Sequence, residues 1–192
     1  RQSAPFVDEL PIVDVSPFQK MKPRDIECVK RCLERLGVRI IKPADIISLH
    51  IFPNFAKYRE RRDEKRAKLP SVESLVQYTL YIMKHAEACV ASGELEDPLN
   101  WRDNVVLYCD DGKGYCPGEG VFLAGAAMSE MQGHGDLRSI CEGSGIEVHM
   151  LDKKYLESAT YTDLSKFLRE MLQTGYSCLE ALKTERSLTT KQ

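Results

Sequence analysis

Near the middle of the chain a continuous apolar run, Val105 to Cys109 (VVLYC), breaks into Asp110-Asp111-Gly112-Lys113-Gly114, and apolar sequence returns at Val121 to Leu123. Asp-Gly between two apolar runs is a strong short-range hairpin signal, because such turns need residues that tolerate positive φ. The expected hairpin therefore joins Val105–Cys109 to Val121–Leu123. Segments of helical periodicity lie on both sides of it. The pattern predicts an α+β module in which three or more amphipathic helices pack on a small, partly antiparallel sheet.

Helical spacing is clearest in three places. From Pro23 to Leu36, the apolar positions Ile26, Val29, Leu33 and Leu36 recur every three or four residues, Pro23 suits the first turn and Gly37 suits a left-handed cap. A short buried strand is expected next, at Val38–Ile41. Ser71 is a natural N-cap for a second helix with Leu75, Val76, Thr79, Leu80, Ile82 and Met83 on its buried face, closing at Ser92-Gly93. A third helix starts at Asp163, with Leu164, Phe167, Leu168, Met171 and Leu172 on one side, and a strand Ile146–Met150 precedes it. Asp45–Phe55 reads as a shorter helix that Pro53 should end or kink. Pro5–Val15 suits an edge strand or extended lead-in, and Tyr176–Leu188 a last amphipathic piece.

With 192 residues, 43% of them hydrophobic, the chain can bury a core without staples. One module is expected, or two lobes: 1–93, mainly helical, and 100–188, with the hairpin, strand and helix. Arg1 opens on RQSAPFVDELPIVDV, which reads as the interior of a larger chain. A near balance of 27 basic and 29 acidic residues argues against a protein devoted to nucleic acid or acidic membrane. Seven cysteines without a C-x-x-C pair suggest reduced thiols, hence a cytoplasmic or nuclear setting. No apolar run approaches the roughly 20 residues that span a bilayer, so no membrane partner is expected.

Three segments together resemble a region of NO VEIN-type proteins, large chains related to sacsin that carry a histidine-kinase-like (GHKL) ATPase domain. They are LGVRIIKPADIISLHIFPNF (Leu36–Phe55), NVVLYCDDGKGYCPGEGVFLAG (Asn104–Gly125), and GIEVHMLDKKYLE (Gly145–Glu157) followed by the helix LSKFLREML. Where that family closes on a tryptophan-arginine pair and a leucine-glycine, this chain has Lys166-Phe167-Leu168-Arg169 and Gln173-Thr174-Gly175. The resemblance implies a non-catalytic scaffold or interaction segment outside the ATPase domain. Its partners would be other domains of the parent chain and a further protein. No cofactor is expected, and the named residues are structural: Gly37, Pro53, Gly112 and Gly114.

Two other readings compete. Asp110-Asp111-Gly112-Lys113-Gly114 satisfies the D-x-G-x-G of GHKL ATPases, where the aspartate meets the adenine amino group, and so suggests a degenerate nucleotide-binding unit with Asp111, Gly112 and Gly114 as its candidate residues. That chemistry also needs a helix with a glutamate base and a magnesium-binding asparagine. Glu87 has no asparagine at the required offset, and Pro117 stands where a helix should follow. The basic stretch Lys57, Arg59, Arg61, Arg62, Lys65, Arg66 and Lys68 suggests a nucleic-acid-binding module, since clustered cations displace counterions from phosphates. Glu60, Asp63 and Glu64 interrupt it, and a solvated connection is the plainer expectation.

Cys109, Cys116, His134, Cys141 and His149 are the candidate zinc ligands, but none are closely spaced as zinc pairs are, and buried free thiols are expected instead. Gly143-Ser144-Gly145 precedes a strand, whereas a nucleophile elbow follows one. His50 and His149 lie in apolar surroundings and read as satisfied core histidines.

Overall fold

The computed structural model describes residues 9–10, 20–38, 41–61, 69–123, 143 and 147–174. The expected edge strand apart from Glu9 and Leu10, the glycine-rich 125–145 apart from Gly143, and Tyr176–Leu188 lie outside these residues.

Helix α1 (Pro23–Arg35) forms as its sequence predicts, with proline in the first turn. It ends in a Schellman motif: Gly37 N–H bonds the Glu34 carbonyl at 3.0 Å, Val38 N–H bonds Leu33 at 2.9 Å, and Gly37 takes φ 84°. The expectation that its apolar stripe is buried fails. No residue of α1 is buried; Leu36 is 79% and Ile26 37% exposed. Periodicity specifies an apolar face without supplying its cover. The strand expected at Val38–Ile41 fails too where it can be followed, since Ile41 is 45% exposed and described residues 38 and 41 are irregular.

The next helix is longer than expected. α2 (Pro43–Ile46) runs through a π-helical turn, Ile47–Ile51, into α3 (Phe52–Arg61). Pro53 does not end it. A proline ring collides with the carbonyl four residues back, and the wide turn just before Pro53 opens the backbone where that clash would fall. Asn54 Nδ2 donates to the loosened His50 carbonyl at 2.9 Å. Ile47, Ile51 and Phe55 from this composite helix are fully buried.

Helix α4 (Val72–Ala91) is the central element, capped by Ser71 Oγ accepting from Ser74 N–H at 3.1 Å. It buries Leu75, Val76, Tyr78, Thr79, Leu80 and Ile82; Met83 is half-buried. α5 (Pro98–Trp101), capped by Asp97, buries Trp101, whose Nε1–H bonds the Glu96 carbonyl at 2.8 Å.

The hairpin forms on the predicted turn with a different partner. β1 (Leu107–Tyr108) pairs antiparallel with β2 (Gly114–Tyr115), not with Val121–Leu123. Cys109 N–H bonds Lys113 O at 2.8 Å and Gly112 N–H bonds Cys109 O at 3.1 Å, so the turn closes on the residues directly after it. A second turn, with Glu119 N–H on Cys116 O at 2.9 Å, redirects the chain. β3 (Val121–Phe122) then pairs in parallel with β4 (His149–Met150), which lies in the predicted strand. An isolated antiparallel bridge, Cys109–Leu151, joins the two small sheets.

A 3-10 turn, Lys153–Glu157, buries Tyr155 completely, and its phenol oxygen accepts Tyr108 N–H at 3.0 Å. Helix α6 (Tyr161–Lys166) continues into a second π-helical turn, Phe167–Met171. Leu164, Phe167, Leu168 and Leu172 are buried as predicted. The result is a mixed α+β fold in which α4 contacts β1, the 3-10 turn and α2.

Candidate interaction groove

The hairpin tip gives Asp111, Gly112 and Gly114 each a structural task. Asp111 Oδ1 accepts Lys113 N–H at 3.0 Å, and Oδ2 accepts the Tyr115 hydroxyl at 2.5 Å. His149 Nδ1 stands 3.5 Å from Oδ2, and its ring stacks on Tyr115 with centroids 3.5 Å apart. Burial pushes the Asp111 carboxyl up, but these hydrogen bonds and the adjacent imidazole outweigh it, and the group lies below the ordinary aspartate value. Gly112 takes the turn at φ 82°. Gly114 is required by close approach: a Cβ there would meet Val106 Cγ1 at 2.5 Å and Tyr58 Cε1 at 2.8 Å, and its N–H bonds Tyr58 Oη at 3.0 Å.

The basic stretch divides. Lys57 and Arg61 are exposed on α3, whereas Arg59 turns inward. Its Nη1 donates to the Asp103 carbonyl at 2.7 Å and its Nη2 to Asn104 Oδ1 at 3.2 Å, so this guanidinium ties α3 to the turn after α5. Residues 59–61 are helical rather than an irregular connection, because Tyr58 and Arg59 anchor that turn, while Glu60 and Arg61 are solvated as expected; Arg62, Lys65, Arg66 and Lys68 lie outside the described residues. Cys116 Sγ is 3.9 Å from Arg59 Nη1, while the buried Cys109 thiol faces the Leu107 carbonyl at 3.6 Å. Burial pushes the Cys116 thiol up, against the pull of Arg59.

A polar cluster that the sequence does not announce lies at the start of α4. Glu9 bonds the Tyr78 hydroxyl, Ser74 Oγ donates to Glu9 at 3.0 Å, and His50 Nε2 stands 3.2 Å from both the Glu9 carboxylate and the phenol. Burial pushes the Glu9 carboxyl up, but the Tyr78, Ser74 and His50 contacts outweigh it and hold it below the ordinary range. Burial, then the neighbouring carboxylate, pushes the Tyr78 phenol up. Ser74 donates a hydrogen bond to the carboxylate, so the arrangement latches the Glu9 segment to α4 and the π-helical turn. Its hydrogen-bonded pairs are 28 to 69 positions apart, which is why no local motif shows it.

A concavity lies between α4 and α6, a groove of about 710 Å³. Leu80 and Met83 from α4 and Phe167 and Met171 from the second π-helical turn form its apolar floor, and Tyr81 and His85 stand on one side, ring centroids 4.4 Å apart. Burial, then the nearby Lys84, holds His85 below the ordinary histidine value, so its imidazole is neutral at pH 7. Lys166 Nζ reaches across to Glu87 at 3.3 Å and to Glu170 at 4.0 Å. These ion pairs are exposed and part easily. The helical spacing marks Met83, Phe167 and Met171 for buried faces, and tertiary packing leaves Met83 and Met171 only half-buried, on the groove floor.

Among the described residues, no three histidine, cysteine or acidic side chains converge as a metal site, and no helix is long and apolar enough to cross a membrane. Comparison with protein-family models, curated proteins and solved structures returns no match to this chain.

Proposed function

We propose that this chain is a non-catalytic scaffold and protein-interaction segment, and that the groove between α4 and α6 is the surface it offers. The observation that supports this is an open trough of about 710 Å³ with a methionine-edged apolar floor between two helices. Amphipathic helices dock in such troughs through anchors at i, i+3 or i+4, and i+7. Methionine suits the role because its unbranched, polarisable side chain repacks around differing anchors. The polar clusters at Asp111 and Glu9 satisfy their own members, which favours structure over turnover. On the resemblance of the three sequence segments, the parent is a larger protein with a GHKL ATPase domain, and this segment lies outside it.

The chain has six methionines, so methyl-labelled methionine spectra are simple to assign. Titration of a designed 14-residue amphipathic peptide with leucine anchors should shift the Met83 and Met171 methyl signals saturably at micromolar concentration, while a scrambled peptide leaves them in place. Unmoved signals at millimolar peptide would remove the proposal. Melting that is unchanged by millimolar ATP and magnesium is the accompanying expectation, and a nucleotide-dependent rise through Asp111 would favour the nucleotide reading.

A further inference from the structure

Helix α1 carries a second feature besides its uncovered apolar stripe. Cys28 and Cys32 stand four positions apart on it, and both are exposed free thiols, whereas the other described cysteines, Cys89, Cys109 and Cys116, are buried or half-buried. On a helix that spacing sets two side chains on one face, with Cβ atoms about 5–6 Å apart. A disulfide needs Cβ atoms at about 3.5–4.5 Å, so the two sulfurs do not bond to each other while α1 is intact. One metal ion with metal–sulfur bonds of ~2.3 Å spans two sulfurs up to about 4.6 Å apart, a separation these Cβ positions allow. The helix therefore holds a dithiol chelate open.

The ligand set selects the ion. Among the described residues, no third histidine, cysteine or acidic side chain converges to complete a set, and structural zinc takes four ligands. Thiolates favour soft ions, and copper(I) is the soft ion that two thiolates satisfy. Loading releases both thiol protons, leaves the copper as copper(I), and gives a complex with a single net negative charge. α1 supplies the counter-charge. Arg24 lies four residues before Cys28, Arg31 three after it and Arg35 three after Cys32, positions that neighbour the sulfurs on the helix surface, where Asp25 is the one carboxylate. Val29 and Leu36 border Cys32 on the same helix and shield that sulfur from water. We propose that Cys28 and Cys32 form a two-coordinate copper(I) site, with Arg24, Arg31 and Arg35 balancing the charge of the complex. None of these residues lines the groove, so the site stands independently of it.

The test is an anaerobic competition for copper(I) between the reduced full chain and bathocuproine disulfonate, whose copper(I) complex is coloured. The chain has seven cysteines, so the readout is the difference between the parent and a Cys28→Ser, Cys32→Ser double variant. The parent should withdraw one equivalent more than the double variant, and each single variant should match the double, because a chelate needs both sulfurs. In the Cys32→Ser background, Lys30→Cys returns a second thiol to α1 on a different face and should not restore the equivalent. Arg31→Glu should weaken uptake several-fold while circular dichroism shows the same helix content. Equal uptake by parent and double variant overturns the proposal, as does restoration by Lys30→Cys, which would mark two independent thiols. Unchanged uptake in Arg31→Glu overturns the role given to the arginines. Zinc sulfate with a zinc indicator is the counter-probe: parent and double variant should take up the same amount. An extra half equivalent of zinc in the parent would mark a four-thiolate site shared by two chains and overturn the two-coordinate assignment.

Discussion

Replacing Gly114 by alanine should destabilise the chain, and the sign of the effect is informative. Gly114 does not have positive φ, so the backbone admits alanine, and a stiffer unfolded chain alone would stabilise by about 0.4–1 kcal/mol. The structure argues for the opposite. The new Cβ would lie 2.5 Å from Val106 Cγ1 and 2.8 Å from Tyr58 Cε1, where carbon atoms prefer about 3.5–4.0 Å. Val106 is fully buried, and the Tyr58 hydroxyl holds its ring in place on the Gly114 N–H. Neither neighbour can withdraw freely, and overpacking of this kind costs about 1–3 kcal/mol. For a chain of this size, that is a fall in Tm of roughly 2–12 °C. Urea unfolding followed by circular dichroism should show a lower midpoint with unchanged slope. In a Val106→Ala background, which removes the nearest methyl, the same substitution should cost ~1 kcal/mol less, because residues in contact are not additive. An unchanged or raised midpoint, or strictly additive costs, would refute the reasoning and return Gly114 to the nucleotide reading.

Arg59→Ala should cost about 1–3 kcal/mol in the same assay, because it removes two charge-assisted hydrogen bonds that tie α3 to the turn after α5, while Lys57→Ala on the exposed face of α3 stays within about 0.5 kcal/mol. Acid should destabilise the fold in two stages. The native pKa of His85 lies below its ordinary value of about 6.5, so its contribution is intact above that pH and is lost as pH falls through the depressed native value. Glu9 and Asp111 are also depressed, and their contributions are present above pH ~4 and lost below it. In each case the unfolded state binds more protons. Glu9→Gln and Asp111→Asn should each flatten the lower limb of a stability–pH curve, and His85→Gln the upper one; a limb that keeps its slope counts against the group assigned to it.

Local signals carried the helices. Ser71 caps where it stands, Gly37 closes α1, and Leu164, Phe167 and Leu168 are buried on the face their spacing marks. These features depend on neighbours within one or two turns, so the sequence alone determined them, together with the α+β class and the Asp110–Gly112 turn. Pairing and burial were different. Val121–Phe122 has the composition of a hairpin partner, yet it is β4, from nearly thirty residues later, that lines up with it in parallel, while the unremarkable Gly114–Tyr115 takes the hairpin position. Pro53 reads as a stop until a π-helical turn widens to admit it. α1 shows a seam whose cover no local rule supplies, and Glu9, His50 and Tyr78 meet only because three separate elements converge. Even the aspartate-glycine loop changes meaning once Tyr58 lies against Gly114 and His149 beside Asp111. Tertiary structure decided which apolar faces found partners, since burial belongs to pairs of surfaces. The groove and the uncovered helix are where that pairing was left open.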